Sequence, residues 1–107
     1  MKNILFICGA NKLRSPTAER VFSRYLNIET DSAGLNADAE VRVSSEQIEW
    51  ADIIFVMEKS QRTKLSKQFR KNLNGKRVVC LDIVDKYTYM QPELVALLEK
   101  RIEPLLR

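Results

Sequence analysis

The residues that could do chemistry stand near the start of the chain, in CGANKLRSP at residues 8–16. Cys8 follows an apolar run, and Arg14 comes six residues later, directly before Ser15 and Pro16. A loop of this length that runs into a helix can turn its backbone N–H groups inward. The helix adds unpaired N–H groups and the positive end of its dipole. The spacing therefore predicts a cradle for a dianion such as phosphate.

A cysteine at the base of such a cradle is a candidate nucleophile. The helix dipole and the Arg14 cation favour the thiolate form of Cys8, and Ser15 could donate a hydrogen bond to the sulfur. The planar guanidinium can hold two phosphate oxygens. A thiolate beneath a bound phosphoryl group is placed for in-line attack, which gives a phosphocysteine. Because phosphoryl transfer needs mainly positioning and charge stabilisation, we expect neither a metal nor a cofactor.

The composition of the 107 residues restricts the other possible chemistries. The chain has two cysteines and no histidine, which excludes Ser-His and Cys-His catalytic pairs and argues against a zinc site. Any acid or base must then be Asp, Glu, Lys, Tyr or Cys. No apolar run approaches membrane-spanning length, and the start of the chain does not resemble a secretory signal. We expect one domain, residues 1–107, in the cytoplasm and without membrane contact.

The net charge of +4 favours anionic ligands weakly. Much of the positive excess lies in KSQRTKLSKQFRKNLNGKR, residues 59–77. This segment is either a solvated helix face or a surface for an acidic partner or nucleic acid. No aromatic residues interleave its cations as base stacking requires, so we do not expect nucleic acid. The sequence leaves the oligomeric state open.

Apolar runs and helical spacings alternate along the chain. Short apolar runs predict strands at residues 3–8, 52–57 and 77–81, and ETDSA at residues 29–33 is interpreted as a short second strand closed by Gly34. Helices are predicted between and after them: one with Ser15 as N-cap and Pro16 first, one over 45–50 behind a Ser44–Gln47 capping box, one from a Ser60 cap to about residue 71, and one from about Pro92 with its final turn disturbed at Pro104.

This alternation is typical of an α/β fold, with a four-stranded parallel sheet flanked by helices. Ligands of such sheets bind at the carboxyl ends of the strands. Cys8, the 58–60 turn and the 82–91 loop should therefore gather at one edge.

The segment CGANKLRSPTAE, residues 8–19, resembles the active-site loop of the low-molecular-weight protein tyrosine phosphatases. That pattern is a cysteine, five residues, an arginine, a serine and then Pro-x-Ala-Glu, and it is matched by Cys8, Asn11, Arg14, Ser15, Pro16, Ala18 and Glu19. DSAG at 31–34 and DIIFVMEKS at 52–60 resemble the second and third strands of the family. The resemblance implies a shortened form of the phosphotyrosine protein phosphatase fold.

The same resemblance implies site residues. Cys8 would be the nucleophile, and the phosphate would be bound by the loop that comprises Gly9, Ala10, Asn11, Lys12, Leu13, Arg14 and Ser15. Hydrogen bonds from Asn11, Ser15 and Ser32 would brace that loop. Tyr87 and Tyr89 could line the mouth of the site and stack on an aryl phosphate.

The family also uses an aspartate as general acid for the leaving oxygen and then as general base for water. Asp85, in IVDKY at residues 83–87, aligns with that aspartate. Asp82 is a competing candidate, and Glu93 is a weaker one.

The sequence therefore predicts a cysteine-dependent phosphomonoester hydrolase that acts on a phosphotyrosine-containing protein or a small aryl phosphate. One alternative is a phosphate-binding or interaction module without activity, which the short chain and the basic 59–77 segment favour. Another is an arsenate reductase, because one branch of those enzymes shares this loop. Its chemistry relays oxidation through additional cysteines, and here only Cys80 is available.

Overall fold

Four parallel strands form the centre of the fold. The computed structural model describes residues 1–106. Its elements, in chain order, are β1 (Lys2–Cys8), α1 (Arg14–Phe22), β2 (Ile28–Gly34), α2 (Ser45–Trp50), β3 (Ile53–Val56), α3 (Lys59–Gln68), β4 (Arg77–Cys80) and α4 (Pro92–Leu106). The strand order is β2-β1-β3-β4, and every neighbouring pair is parallel. The predicted four-stranded parallel sheet is confirmed.

Both faces of the sheet are buried because successive side chains of β1 and β3 point to opposite sides. One apolar cluster contains Phe6 and Phe55 and is covered by α1 and α4. The other contains Leu5 and Ile54 and is covered by Ile48 of α2 and Leu65 of α3. This two-sided burial explains why the sequences of β1 and β3 are continuous apolar runs.

The two strands that follow β1 in the chain lie on opposite sides of it, β2 on one side and β3 on the other. The connection through α1 leads to β2 at one edge, whereas α2 leads back across to β3 on the opposite side of β1. The loop after Cys8 therefore begins where the strand order reverses, which is where ligands bind in sheets of this type. No helix in residues 1–106 is long and apolar enough to cross a membrane.

Two predicted helix caps are wrong, although the Ser44–Gln47 capping box of α2 is confirmed. Ser15 does not cap α1, which begins at Arg14 without a side-chain cap, because the Ser15 hydroxyl faces the Cys8 sulfur instead. Ser60 does not cap α3. Glu58 does so, in a reciprocal capping box with Gln61.

Two helix ends also differ from the prediction. Helix α3 ends at Gln68, because Phe69 leaves the helical conformation and packs against the cluster around Leu5. Helix α4 runs through Pro104 to Leu106, so Pro104 does not end the helix. Pro104 lies in the last turn of the described helix, where its missing N–H removes a single hydrogen bond.

Candidate active site

The Cys8 sulfur lies buried at the carboxyl end of β1, between the following loop and α1. The backbone N–H of Asn11 donates to Sγ at 3.2 Å, and Ser15 Oγ lies 2.9 Å from the same atom. Both contacts stabilise negative charge on the sulfur. Cys8 therefore occupies the base of the loop.

A chain of hydrogen bonds determines which way the Ser15 hydroxyl points. The two N–H bonds of the Asn11 amide are donated to Ser15 Oγ and Ser32 Oγ, each at 3.0 Å. The Ser15 proton is then free to point at Cys8, and the Ser32 hydroxyl donates to the Glu19 carboxylate. Asn11 adopts a left-handed backbone with φ of 57°, which asparagine tolerates better than most residues. The structure thus brings together Asn11, Ser15 and Ser32, the three predicted bracing residues.

Gly34, at the end of β2, permits the loop to approach this strand closely. A Cβ atom at this position would lie 2.4 Å from the Gly9 carbonyl oxygen, 2.7 Å from the Ala39 Cβ and 3.0 Å from the Asn11 nitrogen. Two of these contacts are with the loop backbone, which cannot move aside without displacing the amide that binds Sγ. The loop conformation therefore requires glycine here.

Replacing Gly34 with alanine is expected to destabilise the protein by about 1–3 kcal/mol, as other overpacking substitutions do, and to weaken inorganic phosphate binding. Denaturant unfolding and phosphate inhibition of turnover measure the two effects. The matched control is Gly75→Ala, since Gly75 has φ of 79° but a Cβ added there would have no neighbouring atom within 4 Å. It should lose stability through backbone strain alone. Equal phosphate affinity in both variants would contradict this role for Gly34.

Several loop amides remain available to an anion. Within residues 1–106, the backbone N–H groups of Ala10, Lys12, Leu13, Arg14 and Ser15 donate to no protein acceptor. The last two belong to the first turn of α1, whose N–H groups have no partner inside the helix. This region has the donors that a phosphate group needs.

The Arg14 side chain is buried and held from three sides. Its Nη1 donates to the Ile83 carbonyl at 2.6 Å, its Nη2 donates to Glu58 Oε2 at 3.3 Å, and its Nε lies 3.8 Å from Asp85 Oδ1. Sequence reasoning did not single out Glu58. Its position directly after β3, in the 58–60 turn, was the available signal.

Two adjoining pockets open at this edge of the sheet. The inner pocket has a volume of about 160 Å³ and is lined by Cys8, Ala10, Lys12, Leu13, Arg14 and Asp85. The outer pocket, of about 340 Å³, shares Ala10, Arg14 and Asp85 and adds residues that include Gly9, Asn36, Glu58, Ser60 and Lys64. Among residues 1–106, no cluster of three or more His, Cys, Asp or Glu side chains could hold a metal ion.

The three candidate acids lie in different surroundings. Asp85 lines both pockets, and its side chain is 62% exposed. Asp82 accepts a contact from Cys80 at 3.6 Å and lines neither pocket. Glu93 is exposed in the first turn of α4, where it accepts a hydrogen bond from Gln91. Of the three, only Asp85 lines the pocket that contains Cys8 and Arg14.

The two tyrosines lie outside the lining of these pockets. Tyr87 packs against the cluster around Phe6, and the Lys86 Nζ lies 5.4 Å from the centre of its ring. Tyr89 is 47% exposed. Neither belongs to the residues that line the inner or outer pocket.

The two cysteines lie on opposite faces of the sheet. Cys8 belongs to the cluster around Phe6, whereas Cys80 packs against the cluster around Leu5. Strand β3 separates their strands, so their Cα atoms lie about 9–10 Å apart at the usual strand spacing. A disulfide needs Cα atoms closer than about 7 Å. This geometry argues against a thiol relay between them.

Comparison with known proteins identifies the family to which this site is similar. Residues 3–51 match the family described as low molecular weight phosphotyrosine protein phosphatase. No curated protein sequence matches the chain significantly. The matched segment contains the Cys8–Ser15 loop and Ser32.

Solved structures share the whole fold. YwlE arginine phosphatase from Geobacillus stearothermophilus is 20% identical, with a TM-score of 0.78 over 99% of this chain and 94% of that one. The low molecular weight protein tyrosine phosphatase SP-PTP from Streptococcus pyogenes is 17% identical, with a TM-score of 0.80 over 99% and 91%. Tyrosine phosphatase Wzb from Escherichia coli K30, in complex with phosphate, is 21% identical, with a TM-score of 0.77 over 97% and 95%.

These comparisons decide two predictions. The structural neighbours confirm the predicted fold. The family match over residues 3–51 confirms the predicted resemblance to the low molecular weight phosphotyrosine protein phosphatases.

Proposed function

We propose, from this likeness to the low molecular weight phosphotyrosine protein phosphatases, that the protein hydrolyses phosphotyrosine in a protein or in a small aryl phosphate. The observation that carries the proposal is the buried Cys8 sulfur, held by the Asn11 N–H and Ser15 beneath a loop that leads into Arg14. The family implies phosphorylated protein substrates. The choice of tyrosine as the phosphorylated residue is part of our proposal.

The proposed reaction has two steps. The Cys8 thiolate attacks phosphorus, the bond from phosphorus to the phenolic oxygen breaks, and Asp85 donates its proton to that oxygen. Water then attacks the phosphocysteine, Asp85 takes a proton from it, and phosphate and the thiolate are released. Arg14 and the backbone amides of Ala10 and residues 12–15 stabilise the equatorial oxygens in both steps. No metal is needed to supply charge.

The walls of the inner pocket support an aryl substrate. Ala10 and Leu13 present apolar groups beside Cys8, and Lys12 adds a cation at the same pocket. These surroundings suit an uncharged ring better than the cationic group of phosphoarginine. Because one structural neighbour is an arginine phosphatase, a phosphoarginine peptide belongs in the substrate panel.

We also propose a cytoplasmic location and a single domain. A free thiol is required at Cys8, and reducing compartments maintain thiols. The two apolar clusters lie on the two faces of one sheet, which supports one domain.

The test of the function is hydrolysis of p-nitrophenyl phosphate, a phosphotyrosine peptide and a phosphoarginine peptide by the purified protein between acid and neutral pH. Turnover of the first two supports the proposal. Turnover of phosphoarginine alone would change the substrate class. Binding of phosphate with no hydrolysis at any pH would favour the non-catalytic module.

Replacing Asp85 with asparagine is expected to lower kcat for phenyl phosphate by about 10²–10³, within the usual range for a lost general acid. The loss should be smaller for p-nitrophenyl phosphate, because its leaving group needs less protonation. Asp82→Asn and Glu93→Gln are the matched controls and should change kcat less than about threefold. A larger loss in either control than in the Asp85 variant would reassign the acid.

A further inference from the structure

Residues 59–77 form a positively charged surface that has no role in the proposed reaction. Residues 59–77 contain eight lysines and arginines and no aspartate or glutamate. Seven of these eight cations are exposed, and Lys76 is half-buried. In the described part of the chain, ion pairs form only at Arg14. Like charges held together without counter-charges favour an anionic partner.

Four of these cations line a groove that lies beside the active site. We call it the basic groove and define it by Arg62, Lys67, Arg70 and Lys71. It consists of two adjoining depressions, of about 600 and 690 Å³, which share Ser66 and Arg70. The groove is therefore continuous from the middle of α3 to the turn that precedes β4.

Helix α3 connects this groove to the outer pocket of the active site. Ser60, Gln61 and Lys64 line the outer pocket, while Thr63 and Lys67 line the groove. Residues three or four apart are neighbours on a helix surface, so Lys64 and Lys67 are adjacent. A ligand that leaves the outer pocket along α3 meets positive charge continuously.

We infer that the basic groove binds acidic residues that flank the phosphorylated residue of a protein substrate. This inference rests on the proposed phosphatase function. The ten residues of α3 span about 15 Å. An extended peptide covers that distance in about five residues. Glutamates or aspartates about three to seven positions from the phosphotyrosine would then lie against Lys67 and Arg70.

The composition of the groove favours an acidic peptide over a nucleic acid. The one aromatic residue of the 59–77 segment is Phe69, which packs against the cluster around Leu5. It is therefore turned toward the core and offers no platform for base stacking.

The experiment compares two phosphotyrosine peptides that differ only in their flanks, with glutamates in one and glutamines in the other at positions three to seven. At low salt, wild-type kcat/KM should be about tenfold higher for the glutamate peptide, as several exposed ion pairs together would give. The preference should shrink as sodium chloride is added. In Lys67→Glu/Arg70→Glu it should be lost, while turnover of p-nitrophenyl phosphate stays within about twofold.

The matched control is Arg24→Glu/Lys100→Glu, which reverses two exposed cations on the other face of the sheet and changes the net charge equally. It should keep the preference. Equal kcat/KM for both peptides in the wild type, with p-nitrophenyl phosphate still hydrolysed, would overturn the inference about the groove. The proposed phosphatase function would not be affected. A loss of preference in the control as large as in the groove variant would also overturn it.

Failure of the proposed function gives a different result. If no substrate is hydrolysed, anisotropy of a labelled, unphosphorylated glutamate-rich peptide still tests the groove. Binding that is lost in Lys67→Glu/Arg70→Glu and kept in the control supports an acidic partner, and no binding at low salt refutes it. Tighter binding of a single-stranded oligonucleotide through the same two residues would overturn the inference in favour of nucleic acid.

Discussion

Replacing Cys8 with serine is expected to lower kcat for p-nitrophenyl phosphate by on the order of 10⁴-fold or more. A serine hydroxyl is a weak nucleophile unless a base removes its proton, and the chain contains no histidine to do so. The hydrogen bonds from Asn11 and Ser15 that stabilise a sulfur anion cannot generate an alkoxide. The absorbance of the released nitrophenolate, followed at one wavelength, measures the loss.

The Cys8 variant should still fold and bind phosphate, because the substitution removes no loop amide. Protection of its thermal unfolding by inorganic phosphate would show this. The matched control is Cys80→Ser, on the opposite face of the sheet, which should keep kcat within about twofold. Substantial turnover by the Cys8 variant would place the nucleophile elsewhere. A large loss in the Cys80 variant would instead restore the thiol relay of the arsenate reductase alternative.

Replacing Arg14 with lysine is expected to reduce kcat/KM by about 10²–10³ although the positive charge is kept. The guanidinium donates to the Ile83 carbonyl and Glu58 and lies 3.8 Å from Asp85 Oδ1, and its two hydrogen bonds use only two of its five N–H donors. A lysine ammonium group cannot contact the Ile83 carbonyl, the two carboxylates and the phosphate oxygens at the same time. The loss should fall on kcat as well as KM, because Arg14 in the proposed mechanism stabilises charge that develops in the transition state.

Arg20→Lys is the control for this substitution, since Arg20 is exposed in the last turn of α1. Its kcat/KM should change less than about twofold. The melting temperature of both variants and their inhibition constant for phosphate separate a folding defect from a catalytic one. An Arg14→Lys variant with normal kcat would show that charge alone is sufficient, which would contradict the planar contact proposed here.

The sequence determined the chemistry of the loop because that chemistry is local. Cys8, Arg14 and the amides between them lie within seven residues, so their spacing alone predicts an anion cradle with a sulfur at its base. Strands β1 and β3 were readable for a related reason, because burial on both faces leaves continuous apolar runs. The capping box of α2 could be predicted because it too is local: its two members, Ser44 and Gln47, are three residues apart.

Only the tertiary structure decided the contacts that join distant segments. Glu58 reaches Arg14 because β3 lies next to β1, and Gly34 limits the loop because β2 lies on the other side. The Ser15 hydroxyl accepts a hydrogen bond from the Asn11 amide, which also donates to Ser32, and it does not cap α1. The predicted cap was therefore wrong. The candidate acids, Asp82, Asp85 and Glu93, look alike in sequence. Only Asp85 lines the pocket that contains Cys8. This placement depends on how the loop before α4 packs, and the residues next to each carboxylate in the sequence do not determine it.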